Sequence, residues 1–200
     1  MKQEVASFLD YVAHSPTVFQ ATQQACDMLD AAGFTRLSEH EAWEILPGGR
    51  YYVTRNRSAL VAFAVPENGF THCQIVASHG DSPTFKLKAH AEGEAAGAYI
   101  RLDVEPYGGM IMSTWFDRPL SVAGRALVRE DGRLVTRLID LDRDAALIPN
   151  MPIHFNRDIN SGYSYNPQTD MLPLFGGKDA KGALAAEIAA KAGAKEEDVV

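Results

Sequence analysis

Gln74-Ile75-Val76-Ala77-Ser78-His79-Gly80-Asp81-Ser82-Pro83 is the stretch on which the reading of this chain turns. Its apolar first half predicts a buried strand, reaching back to Phe70. Its polar second half places a histidine and an aspartate two residues apart. In extended backbone, residues i and i+2 point to the same side. His79 and Asp81 are therefore expected to face one site, at the carboxyl end of a strand, where open α/β sheets place their ligands. A neutral imidazole is a common metal ligand, and a nearby carboxylate fixes its tautomer and orientation. Spacing alone leaves two roles open: a metal ligand with its orienting carboxylate, or the commoner structural His–Asp pair. One histidine and one aspartate do not close a catalytic zinc site, which takes about three protein ligands.

The chain before this stretch reads as helices, then strands. Val5, Phe8, Leu9 and Val12 have helical spacing. His14-Ser15-Pro16 interrupts them, and Ser15 is expected to cap a second helix with Pro16 in its first turn. Val18, Phe19, Thr22, Cys26 and Leu29 then lie on one helical face, and Gly33 reads as the residue just past its end. Residues 50–55 and 59–65 read as two strands around Asn56-Arg57. After Pro83 the texture changes. Residues 86–138 hold short strand-like runs and no helical pattern, with a hairpin expected about Asp131-Gly132. Residues 148–166 are loop-like. A helix is expected over 180–192, ended by Gly193, and 195–200 reads as the start of another element.

The chain has 200 residues, 46% hydrophobic and 22% charged, in the range of globular domains. Its net charge is −7 and no basic stripe is visible, which argues against nucleic acid as a partner. No apolar run is long enough to span a bilayer, so no membrane partner is expected. The N-terminus leads into an amphipathic segment instead of a signal-peptide core. Cys26 and Cys73 are too few for a disulfide framework or a structural zinc site. Both are read as small buried hydrophobes in a reducing compartment, with the cytoplasm as the expected location.

Other stretches carry weaker signals. His154 sits in Met151-Pro152-Ile153-His154-Phe155-Asn156-Arg157-Asp158, a polar loop with an apolar entry. Trp115-Phe116-Asp117-Arg118 reads as a buried turn fixed by an ion pair, with a ligand-lining loop as the less common alternative. His14, His40, His72 and His90 have no partner at a telling spacing. The chain lacks a Gly-x-Ser-x-Gly elbow, a Gly-x-Gly-x-x-Gly turn and a His-Glu-x-x-His helix, and Gly176-Gly177-Lys178-Asp179 falls short of a phosphate-binding loop.

Ser78-His79-Gly80-Asp81-Ser82-Pro83 with Lys86-Leu87-Lys88 resembles the signature around the first metal-binding histidine of the M18 metallopeptidases, the aspartyl aminopeptidase family. The likeness extends in order along the chain. Phe8-Leu9 through His14-Ser15-Pro16-Thr17 resembles the family's opening helix and turn. Gly48-Gly49-Arg50-Tyr51-Tyr52 and Arg55-Asn56-Arg57-Ser58 resemble the next block. Val104-Glu105-Pro106-Tyr107-Gly108-Gly109, Ser113-Thr114-Trp115-Phe116-Asp117-Arg118-Pro119-Leu120 and Ala123-Gly124-Arg125 resemble its central block. Ile148-Pro149, His154 and Arg157-Asp158-Ile159-Asn160 resemble a later one.

The resemblance implies an α/β fold: the N-terminal part of an α/β/α zinc-exopeptidase sandwich with an inserted β-rich dimerisation domain. Residues 1–85 would begin the catalytic domain, and 86–200 would be the inserted domain. Family members carry two zinc ions and remove an N-terminal residue from peptides, preferring Asp or Glu. They form homodimers that build larger shells. The resemblance implies His79 as a zinc ligand, Asp81 as the carboxylate that orients it, and His154 as a histidine brought to the active site from the dimer interface. The family's other metal ligands and its glutamate base lie in a C-terminal portion, which nothing after Lys178 resembles. Gln20 stands where many relatives have histidine. The chain thus reads as the N-terminal part of an aminopeptidase. Two alternatives are a truncated, non-catalytic oligomerisation module and a metal-free binding module in which His79 and Asp81 form a structural pair.

Overall fold

The computed structural model describes residues 2–200 and divides into two units, Met1–Ser82 and Pro83–Val200. In the first, helix α1 (Gln3–Ala13) carries the expected apolar stripe but buries none of its residues; Phe8 is 63% exposed. Helix α2 (Val18–Ala31) starts at Thr17 and not at Ser15. The Thr17 hydroxyl accepts the Phe19 N–H at 3.2 Å and is hydrogen-bonded to the Gln20 side chain. Thr17-Val18-Phe19-Gln20 has the residue spacing of a capping box, though here Gln20 meets the Thr17 hydroxyl. The end of α2 is as expected. Gly33 adopts φ +76°, its N–H reaches Asp30 O, and Phe34 N–H reaches Leu29 O, which closes the last turn in a Schellman motif.

Strand β1 (Thr35–Leu37) pairs in parallel with β2 (Arg50–Arg55), which pairs antiparallel with β3 (Ala59–Ala64). The turn between β2 and β3 puts Asn56 and Arg57 at positive φ. Tyr52 of β2 is fully buried, and its hydroxyl donates to Asp30 Oδ1 on α2 at 2.7 Å, tying the sheet to the helix. Cys26 is buried beside it, and burial raises its thiol pKa; Cys73 is exposed, contrary to the expectation that both thiols are core.

The strand expected over Phe70–Ser78 does not form. Residues 73–83 are irregular, and Ile75 and Val76 are 80% and 92% exposed. A continuous apolar run marks a strand covered on both faces. Here the first unit's sheet has the order β1-β2-β3, and the run pairs with none of these strands.

The second unit is the β-rich one. Strands β4 (Thr84–Ala95) and β5 (Tyr99–Tyr107) form a long antiparallel pair with a register shift between Leu87 and Glu92. Strands β6 (Pro119–Leu120), β9 (Ala146–Leu147) and β10 (Leu174–Gly177) complete a sheet of order β4-β5-β10-β9-β6. Between β6 and β9, the hairpin β7 (Ala123–Glu130) and β8 (Arg133–Asp140) turns at Asp131-Gly132, with φ +49° and +77°, as a two-residue primed turn requires.

Helix α3 (Ala183–Ala192) is three residues shorter at its start than expected, because Lys178–Ala180 winds as a 3₁₀ turn and Gly182 sits at φ +83°. Its free N-terminal amides are met from β4: Glu92 accepts from Gly182 N at 2.5 Å and from Leu184 N at 2.9 Å. Residues 195–200 do form a further short element, the 3₁₀ turn Glu196–Asp198, which leads the chain back onto β7. Val199 bridges Val128, and Val200 N–H reaches Leu127 O at 2.8 Å. The core joins Leu102 and Val104 of β5, Ala126 and Val128 of β7, Ile139 of β8 and Leu184 of α3. A second cluster of Phe116, Ile148 and Met171 is packed by Trp115 and Tyr165.

Burial, and donation to Asp30, push the Tyr52 hydroxyl up to about 12. The neutral phenol is thus favoured in the folded state. Its contribution is complete below the unfolded value near 10 and is lost as pH rises toward 12. Urea unfolding followed between pH 8 and pH 12 should show a steeper loss of stability above pH 10 in the wild type than in Tyr52→Phe. Identical slopes would show that Tyr52 does not carry this effect.

Candidate metal site

His79 and Asp81 meet without the strand. His79 Nδ1 lies 3.0 Å from Asp81 Oδ1 and 2.9 Å from the Asp81 backbone oxygen. Both oxygens are acceptors at neutral pH, so Nδ1 carries the proton and the lone pair sits on Nε2, across the ring. The His79 side chain is 81% exposed. A histidine whose Nδ1–H is held by a carboxylate and whose Nε2 is open is arranged as metal-ligating histidines are.

That pair alone does not close a metal site. Among the described residues, no group of three or more His, Cys, Asp or Glu stands where it could hold a metal ion. The donor set here fits a single ligand and does not by itself fit a complete zinc centre.

His154 belongs to the second unit. It sits in a loop of residues 149–173 that has no strand or α-helix. The loop is pinned at both ends. Asp117 N–H reaches Ile148 O at 2.9 Å, Asn150 N–H reaches Asp117 Oδ1 at 3.0 Å, and Leu102 N–H reaches Pro173 O at 2.7 Å. Inside it, Asp170 accepts from Tyr163 OH, Asn166 N and Thr169 Oγ1, each at 2.9 Å. Burial raises the Asp170 carboxyl, but these three donors outweigh it and hold the pKa below the usual range. The Tyr163 hydroxyl is raised, chiefly because it donates to Asp170. Phe116 and Tyr165 rings lie 5.0 Å apart, and Tyr165 meets Tyr163 edge-on at 5.3 Å. A cavity of about 370 Å³ opens between the loop's two arms, walled by Phe116, Met151, Phe155, Tyr163, Tyr165 and Asp170.

The ion pair expected between Asp117 and Arg118 is not made. Asp117, at φ +56°, accepts from the Asn150 amide, and Arg118 donates to the Thr114 carbonyl, so each side chain meets a backbone group instead of the other. The aspartate and tyrosines that brace the loop escaped sequence reading. The available signal was Asn166-Pro167, a turn dipeptide; Asn166 Oδ1 does accept from Gln168 N at 3.0 Å. His14, read as unpartnered, binds Asp10 on the exposed face of α1.

Residues 11–200 match the family described as Aminopeptidase I zinc metalloprotease (M18). This chain belongs to the M18 family. It is 42% identical over 186 residues to a probable M18 family aminopeptidase 2 of Clostridium acetobutylicum, covering 88% of this chain and 42% of that protein. The M18 chain therefore spans about two fifths of the length of the curated relatives it matches. Among solved structures, it superposes on a chain of the cryo-EM complex of Ape4 and Nbr1 with TM-score 0.90 at 35% identity, covering 98% of this chain and 42% of that one. It superposes on the mApe1 dodecamer of S. cerevisiae with TM-score 0.80 at 24% identity, over 99% and 46% of the two chains, a likeness of fold. The M18 chain accordingly has an α/β fold, with helix α2 tied to a mixed sheet in one unit and a β-rich second unit. None of its described helices is long and apolar enough to cross a membrane.

Tyr163→Phe removes one of the three donors to Asp170. The Asp170 pKa should rise toward the ordinary carboxylate range, read by NMR titration, and the loop should loosen as pH falls through that value. An unmoved Asp170 titration would mean that Tyr163 does not hold it.

Proposed function

We propose that this M18 chain supplies the first zinc ligand of a metallo-aminopeptidase, together with the surface through which copies associate. The observation that carries the reading is the His79–Asp81 contact, in which Nδ1–H is held at 3.0 Å and Nε2 is left open. His79 would hold one zinc ion through Nε2. Asp81 would fix the ring and make it a better donor. The remaining ligands and the general base would come from sequence corresponding to the other three fifths of the relatives' length. A zinc pair in the completed site would polarise the scissile carbonyl and lower the pKa of a bound water.

The substrate in this reading is a peptide with a free N-terminus, and an acidic first residue is the preference the family likeness suggests. His154, on a loop braced at both ends, would serve the active site of a second copy and assist substrate or transition-state binding. The β-rich unit, Pro83–Val200, would be the dimerisation domain, and the dodecamer of the S. cerevisiae relative supports assembly beyond a dimer. Two free thiols suit a reducing compartment, and we take the cytoplasm as the location. A single metal ligand among the described residues also favours a second reading for these 200 residues in isolation: a non-catalytic module that associates but binds zinc weakly.

In the full-length protein, His79→Ala should abolish peptide hydrolysis and lower zinc content. Near-normal turnover at full zinc occupancy would defeat the assignment. Asp81→Asn should cost less, about tenfold in zinc affinity or rate, because the Asp81 backbone oxygen also accepts from Nδ1. Equal zinc affinity and rate in that variant would remove the orienting role.

A further inference from the structure

We infer that Asp117 is the positioning residue of the His154 loop; the inference rests on the reading of His154 given above. The chain from Phe116 to Asp117 lies beside the chain from Ile148 to Asn150 and is fastened to it at three points. Phe116 and Ile148 form a parallel bridge, Asp117 N–H donates to Ile148 O, and Asp117 Oδ1 accepts from Asn150 N. Ile148 is fully buried and Phe116 nearly so, which makes them a fixed base. Asn150 is the first residue beyond that base whose amide is held from outside the loop, and His154 follows four residues later.

The backbone at Asp117 has φ +56°, a conformation that L-residues rarely adopt and that Asp tolerates better than most. With this φ, one residue directs its own amide to Ile148 and its carboxylate to Asn150, so both sides of the loop's first turn are set from a single position. Position 117 therefore needs two properties at once: tolerance of the left-handed region and a short side-chain acceptor. Asn has both. Gly has only the first, and Ala has neither. The exposed Asp117–Asn150 bond adds little to global stability, so the consequence of losing it is local freedom at residues 149–156.

Three variants test this in the full-length protein, with amide hydrogen exchange over residues 149–156 and steady-state hydrolysis as readouts. Asp117→Gly should speed exchange there by about tenfold while leaving β7 and β8 unchanged, the mark of a local opening. Its kcat should fall by roughly tenfold with KM changed less, as expected when a group that acts on the transition state is misplaced. Asp117→Asn should restore both, which a general folding defect would not allow. Placed in a His154→Ala background, Asp117→Gly should cost no further activity, because the two act through one group. A full additional loss in that background, or unchanged exchange in Asp117→Gly, overturns the inference. Full activity of His154→Ala alone would instead overturn the reading of His154. The role of Asp117 would then be decided by exchange: faster exchange in Asp117→Gly supports it, unchanged exchange refutes it.

Discussion

An extended stretch of backbone must find a hydrogen-bonding neighbour, and this requirement sorts the whole chain. Where neighbours exist, the sequence patterns become regular structure. Strand β5 is flanked by β4 and β10, and its inward residues Ile100, Leu102 and Val104 are almost completely buried. Where no neighbour exists, an equally apolar run stays open. Residues 74–78 have the composition of a central strand and the exposure of a loop. The relatives that this chain matches are more than twice its length.

The His79–Asp81 pair forms without a strand because its geometry is local. Two residues apart, with one glycine between them, they reach each other through side chain and backbone alone. A complete metal centre is not local in this way. Its ligands converge from distant points of a chain, and among the described residues no third ligand stands beside this pair. The same logic separates the two halves of the proposed function. The metal-binding half depends on convergence, whereas the β-rich unit builds its own core from Leu102, Val128, Ile139 and Leu184.

Much of the fold was legible in the sequence. Helical spacing located α1 and α2, Gly33 marked the end of α2, and Asp131-Gly132 fixed the hairpin β7–β8. Each is a short-range signal with a short-range cause. The misses have causes of longer range or of competition between neighbours. Ser15 lost the cap to Thr17, whose hydroxyl accepts the Phe19 N–H and bonds the Gln20 side chain. The start of α3 is governed by Glu92, ninety residues away on β4. The His79–Asp81 contact was legible from the two-residue spacing. What the sequence did not disclose was how the His154 loop is held, because Asp117, Tyr163 and Asp170 brace it through contacts that no periodicity encodes.

The central claim is that His79 presents Nε2 to zinc while Asp81 holds Nδ1. An anomalous-difference map at the zinc edge, from crystals of the zinc-loaded full-length protein, tests it most directly. The account predicts a peak about 2.0–2.1 Å from His79 Nε2 with the Nδ1–Asp81 contact intact. A zinc peak at Nδ1, or a fully occupied zinc centre with no peak beside His79, would contradict it.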